Sequence, residues 1–379
     1  MKENYLEALK WYSKAADMGN AEAKYKMGKI LWEEGKRYLQ ESCVQGNIAA
    51  SEFIKENLKE RSKVCKVHKE AKGYFQESRE KGKIDASEFI KENLKEGNID
   101  ENESGYYIVF KSHKVFYLFA DNRWDGIIEY SLDKINWHKW SGKGIKSDII
   151  YMRGYGNTVI TGGRKWHFQM NDRLVCRGNI ETLLDYELCS RGEHPPMGKE
   201  CYKSMFAGCT SLSEAPALPA RELAEGCYWA MFKDCTSLKV APALPARELA
   251  LECYYAMFWG CTSLKEAPAL PATELVYGCY RLMFEGCKSL EEAPALPATE
   301  LADRCYESMF KDCKSLKVAP ALPAKELIQG CYIAMFKGCT SLKEAPVLPA
   351  TRLAIVCYLG MFSDCTSLKD KPNLPGFCF

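Results

Sequence analysis

The sequence carries no motif of a known catalytic centre: there is no G-x-S-x-G elbow, no Walker loop and no dinucleotide fingerprint. Histidine is scarce, with 5 in 379 residues and none beyond His194, so no general base accompanies a recurring nucleophile. No C-x-x-C pair occurs, which removes the usual spacing of a zinc site. Apolar runs of about 18 residues are missing, and with them a membrane-spanning helix. Long basic runs are missing too, and a net charge of +2 at 27% charged residues is nearly balanced. Nucleic acid and membrane insertion are therefore poor expectations for a partner. These absences lead away from enzymes, cofactors and metals and toward a binding protein.

The length of 379 residues allows two or three domains. Met1 to Asn20 is amphipathic and lacks a signal-peptide core, which gives a cytoplasmic expectation; the alternative is a cell-surface or secreted protein whose N-terminus lies further upstream. The 19 cysteines fall short of the roughly 8 to 10% that marks small disulfide scaffolds, and most recur at one fixed period. Cysteine usage follows a repeat and does not declare an oxidising compartment.

Three segments follow along the chain. ASEFIKENLKE occurs at 50–60 and again at 86–96, and WYSKAADMGNAEAKYKMG near the N-terminus carries an apolar face at helical spacing. Each unit reads as a helix, a glycine turn and a second helix. This string resembles the Sel-one-like repeats, relatives of the tetratricopeptide αα repeats, and the resemblance over residues 1–97 implies a protein-interaction scaffold. After the polar run NIDENESG at 98–105, short β-branched and aromatic stretches alternate with Gly, Asn and Asp: YYIVF, VFYLF, GIIEYSLD, DIIYMRG, TVIT, WHFQM. They predict an antiparallel β-sandwich or small barrel, with Ser131-Leu132-Asp133 and Trp137 framing a turn.

From residue 201 a 26-residue unit repeats seven times, clearest as CYYAMFWGCTSLKEAPALPATELVYG at 253–278. A first cysteine recurs from Cys201 to Cys357 and a second from Cys209 to Cys365, a period that requires a solenoid. Leu264, Ala267 and Leu270 bracket a short extended stretch, so strands of successive coils are expected to pair in parallel about 4.8 Å apart. Leu275, Cys279 and Met283, spaced four apart, predict a helical turn ending at Gly286. Glycine or aspartate at that site in the other copies suits a left-handed residue. Lys371 and Asn373 make the last coil more polar, as a cap would be. The L-x-x-A-P-x-L-P pattern with its recurring Met-Phe resembles the BspA-type leucine-rich repeats. The joins around Ile128–Asp133, Tyr151–Gly154 and Gly178–Tyr186 are similar to the small β module that precedes such arrays. That resemblance implies a bacterial adhesion or host-binding protein.

Candidate sites lie where the repeats differ. The tyrosine column from Tyr202 to Tyr358 reads either as packing or as a binding strip, and the two thiol columns either as reduced core residues or as disulfides. One varying column runs Lys203, Trp229, Tyr255, Arg281, Glu307, Ile333, Leu359, and a neighbouring one supplies Trp259. Trp229, Tyr255 and Trp259 are the candidate residues for a protein partner, or else they pack against the β domain. Trp124, Trp137, Trp140 and Trp166 belong to a core or stack a glycan. The expected fold class is multidomain α+β: αα repeats at 1–97, a central antiparallel β-sandwich or barrel at 104–190, and a leucine-rich-repeat solenoid of seven coils at 191–379. The expected function is a non-catalytic protein-interaction scaffold of adhesin type, with no cofactor, no metal and no catalytic residue. A carbohydrate-binding protein acting through the β domain, and a cryptic hydrolase in that domain, are the alternatives.

Overall fold

The structure, a computed structural model, describes residues 106–370 and 372. The chain divides into two compact units, Met1–Ile99 and Asp100–Phe379; the αα repeats expected at 1–97 and the polar cap residues Lys371 and Asn373 lie outside the described residues. The second unit opens with β1 (Ile108–Ala120), β2 (Ile127–Ser131), β3 (His138–Lys139), β4 (Ile145–Tyr155), β5 (Trp166–Gln169) and β6 (Leu174–Arg177). Then come one helix, α1 (Thr182–Ser190), and β7 (Leu212–Glu214).

These strands form one mixed sheet in the order β3-β2-β4-β1-β6-β7, with β5 also paired to β1. β1 is its spine and pairs antiparallel with β4, β5 and β6; its register slips between Lys111 and Phe116 at a bulge. The inner face is filled by Phe110, Phe116, Leu118, Trp124, Trp140, Ile150, Met152 and Trp166, all buried. α1 approaches β4 so closely that a Cβ on Gly154 would lie 1.7 Å from the Leu183 carbonyl oxygen, which explains the glycine. Buried Asn157 clasps the same junction: its Oδ1 accepts from Gly126 N–H (2.7 Å) and its Nδ2 donates to the carbonyls of Ile127 (2.7 Å) and Leu183 (3.0 Å). At the opposite corner Asp133 closes the turn read from Ser131 to Trp137. Its carboxylate accepts from the backbone N–H of Ile135 (2.9 Å) and Asn136 (2.8 Å).

The expected α+β class does not hold. Among the described residues strand accounts for 20% and helix for 3%, in a single helix, and the sheet is mixed rather than an antiparallel sandwich or barrel. The helical turn expected in every repeat is absent. In its place the Cys-Tyr-x-x-Met-Phe-x-x-Cys segment runs as consecutive turns whose fourth residue has a positive φ, for example Glu252 (50°), Ala256 (53°) and Gly260 (75°). A residue at positive φ every four positions cannot sit in a right-handed helix. The backbone N–H groups alternate their partners instead. Tyr254 donates to Cys279 of the next coil (3.1 Å), Tyr255 to Glu252 three residues back (3.1 Å), Ala256 to Arg281 (2.9 Å) and Met257 to Tyr254 (3.2 Å). The donors of this segment are satisfied alternately within the coil and by the neighbouring one.

This turn ribbon places residues two in and two out. Cys253 and Tyr254, then Met257 and Phe258, then Cys261 are fully buried, and small Ala256 is buried with them, while Tyr255 and Trp259 are half-buried on the outer side. The buried side chains of consecutive copies lie over one another. Tyrosine rings from Tyr202 to Tyr358 stack with centroids 5.6–5.9 Å apart, and phenylalanine rings from Phe206 to Phe362 at 5.4–5.7 Å. On the Ala-Pro side parallel pairing shrinks to single bridges, Val240 to Glu266 to Glu292 to Val318, because Pro268 and Pro271 have no N–H to continue a ladder.

The sheet covers the first coil. Backbone N–H groups of Ile160 and Trp166 donate to the carbonyls of Cys201 (3.0 Å) and Met205 (3.0 Å), as a preceding coil would. Phe168 stacks on Phe206 at 5.8 Å and extends the phenylalanine column, and β6 pairs in parallel with β7. Without this cover the first coil would leave carbonyls and apolar rings exposed, which solenoid ends avoid.

Candidate functional site

The outward positions of the turn ribbon form two adjacent columns on one face of the stack. In the first, Lys203 Nζ lies 3.9 Å from the ring centroid of Trp229, and Trp229 meets Tyr255 at 4.6 Å with the rings tilted by 49°. Arg281 stands 5.5 Å from the Tyr255 ring and pairs with Glu307 at 2.9 Å, and Arg304 reaches the same carboxylate at 3.2 Å. In the second, four residues further along the coil, Lys233 Nζ lies 3.9 Å above Trp259, and Lys311 pairs with Glu285 at 2.8 Å. All three aromatic candidates are half-buried.

Trp229 and Tyr255 are therefore brought into contact with each other, while Trp259 occupies the parallel column with its own cation. The ring contacts of the three residues lie within the coils, not with aromatic side chains of the sheet. Cations near the ring faces help hold the indoles and the phenol in place, so the exposed parts of the rings are presented at low conformational cost. Burial raises the Tyr255 hydroxyl above its ordinary pKa, with Arg281 opposing that shift, which keeps the phenol neutral and able to donate a hydrogen bond. The three rings were legible in two neighbouring varying columns; the cation on each ring was not, because the pairing depends on which coils stand next to each other.

Other candidates are placed differently. Tyr202 to Tyr358 are at most 3% exposed and form packing columns rather than a surface strip. The second-column thiols act as buried donors: Cys235 Sγ lies 3.2 Å from the Phe206 carbonyl, Cys261 3.0 Å from Phe232, and the contact repeats to Cys365 and Phe336 at 3.0 Å. Burial pushes the Cys227 and Cys279 thiols up to about 12, so they are unreactive at neutral pH. None of the repeat cysteines from Cys201 to Cys339 is in a disulfide. Trp124, Trp140 and Trp166 belong to the sheet core, and Trp137 lies under the Arg153 guanidinium at 4.0 Å.

At the join between sheet and coils, Glu181 is a buried carboxylate whose Oε2 meets His194 Nδ1 at 2.8 Å. Burial raises its pKa and the histidine contact opposes the shift. Among the described residues no group of three His, Cys, Asp or Glu is arranged to hold a metal ion, and no helix is long and apolar enough to cross a membrane. Compared with known proteins, the chain matches no family model, no curated protein and no solved structure.

Proposed function

We propose that the chain is a non-catalytic binding scaffold in which the stacked coils hold a rigid frame and their outward columns select a protein partner. The observation that carries this reading is the split between columns. Inward positions keep Cys, Tyr, Met and Phe in every coil, whereas the outward column changes from Lys203 to Trp229, Tyr255, Arg281 and Glu307. A column needed only for packing has no reason to change, and half-buried Trp and Tyr held by Arg or Lys are the residue types that dominate binding energy at interfaces. The resemblance to BspA-type repeats supports a partner outside the cell, as an adhesin would have, and an intracellular partner is the other form of the same reading.

The experiment replaces Trp229 and Tyr255 together by alanine in the full chain and compares the proteins it captures with those captured by the parent. The expected result is at least tenfold weaker binding of a captured partner, with a thermal midpoint within a few degrees of the parent. A large fall in midpoint, or unchanged capture, would assign these rings to packing instead. Trp259→Ala alone reports whether the second column belongs to the same surface.

A further inference from the structure

The sheet of the second unit has an outward surface that the stacked coils do not use. Along the end of β1 the side chains alternate, with Phe116, Leu118 and Ala120 buried and Tyr117 and Phe119 turned out of the core. Across the sheet Tyr117 stands between Lys146 of β4 and Gln169 of β5, and Phe119 is paired with His167. The rings touch in a row: Tyr117 to Phe119 at 5.5 Å, and Phe119 to His167 at 4.6 Å with planes 5° apart. Beside them the chain carries glycine at 142 and 144. A Cβ at Gly144 would lie 1.8 Å from the Tyr117 hydroxyl oxygen, so this side must stay low. The result is an open hollow of about 690 Å3 lined by Tyr117, Phe119, Gly142, Lys143, Gly144 and Gln169.

This hollow differs from the aromatic ladder of the coils in two respects. Trp229, Tyr255, Trp259 and also Trp137 each carry a Lys or Arg over the ring, whereas among the described residues no cation covers Tyr117 or Phe119. Tyr117 rests against the backbone at Gly144 and Phe119 against the His167 ring, and the remaining ring surface, with Tyr117 39% exposed, is open to a ligand. The polar groups around them are few: the Gln169 amide, which both donates and accepts, the His167 imidazole on Phe119, the Lys143 ammonium in the lining and the Lys146 ammonium across from Tyr117, with no carboxylate in the lining. The depression is shallow and open, so a ligand would lie on it rather than be enclosed, held by stacking on the aromatic rings and by hydrogen bonds to a few polar groups. The weakly polar C–H face of a pyranose fits the rings, its hydroxyls fit the Gln169 amide, and a carboxylate fits Lys143 through a charge-assisted hydrogen bond.

We propose that this hollow binds a saccharide bearing a carboxylate, a uronic-acid-containing glycan, with the sugar ring on Tyr117 and Phe119 and its carboxylate at Lys143. The site is separate from the coil surface proposed above and stands or falls without it.

Calorimetric titration of the full chain with a galacturonic-acid trimer, a neutral galactose trimer and short polyglutamate tests the assignment. The uronic-acid trimer should bind, at least tenfold more weakly to Phe119→Ala and several-fold more weakly to Lys143→Gln, and less tightly as salt rises. Gln169→Ala, a change on an exposed strand position, should also weaken it and guards against misfolding of the aromatic variant. No binding of the uronic-acid trimer, or equal binding to Phe119→Ala and Gln169→Ala, would overturn the site. Equal binding of the neutral trimer would overturn the carboxylate, and equal binding of polyglutamate would overturn the sugar.

Discussion

The sheet and the coil stack reach the same end, a buried aromatic interior with its backbone groups satisfied, by opposite means. The sheet depends on single residues that occur once: Asn157 holding three backbone groups, Gly154 letting α1 approach, Asp133 closing one turn. The coils depend on no single residue but on columns, so that Phe258 is held by Phe232 and Phe284 at 5.6 Å on either side. The difference teaches where function has room to vary. A residue used once in a clasp is tied to its place, whereas the outward half of a column is free to change from coil to coil, and that is where Trp229, Tyr255 and Trp259 are found.

Truncations in the phenylalanine column test this contrast with the largest expected effect. Phe258→Ala removes a fully buried ring with neighbours on both sides and should cost about 3–5 kcal/mol in a denaturant titration. Phe206→Ala should cost a similar amount, because Phe168 and Phe110 of the sheet cover it as a preceding coil would. A much smaller loss at Phe206 would show that the sheet does not cap the stack. The next effect concerns the turn ribbon. Glu252 sits at φ 50° where the following coil has Gly278 at 59°, so Glu252→Gly should gain about 1 kcal/mol and Gly278→Ala lose about as much. If the segment were helical the signs would reverse.

The smallest effect sharpens the junction between the two regions. Because burial raises the Glu181 carboxyl in the folded state, its contribution to stability is present below the ordinary carboxylate range and is lost as pH rises through the raised value. Glu181→Gln should therefore raise the thermal midpoint at neutral pH, and the gain should shrink as pH falls toward that range. A gain that grows on acidification would show that the pair with His194, not burial, sets the balance.

The sequence made the period, the buried columns and one of the three left-handed sites in each coil legible, since Cys253, Met257 and Leu264 each recur at one spacing and the Gly260 site is always glycine or aspartate. It misled on local structure for a physical reason. Leu275, Cys279 and Met283 fall four apart both on a helix and on a ribbon of four-residue turns, and only the positive φ at Leu282 and its equivalents separates the two. Alanine, leucine and serine at those positions do not advertise that conformation. The capping role of the sheet was hidden because it rests on contacts such as Trp166 to Met205 that no periodicity records. Of the two proposed surfaces, the varying columns of the coils were readable, but the aromatic patch at Tyr117 was not, since it depends on which strands flank β1.

Equivalent residues of successive copies lie one over another, and both the frame and its outward columns depend on that stacking. Nitroxide labels on Thr273→Cys and Thr299→Cys test it most directly, because both positions are exposed and Thr299 N–H reaches the Thr273 carbonyl at 3.3 Å. The buried native thiols stay unlabelled in the folded protein, and Cys43, Cys65 and Cys378, which lie outside the described residues, are changed to serine in the labelled protein. Strong dipolar broadening is expected for this pair, with less for Thr273→Cys and Lys325→Cys, two coils or about 10 Å apart. A 273 and 299 pair without broadening would contradict the stack.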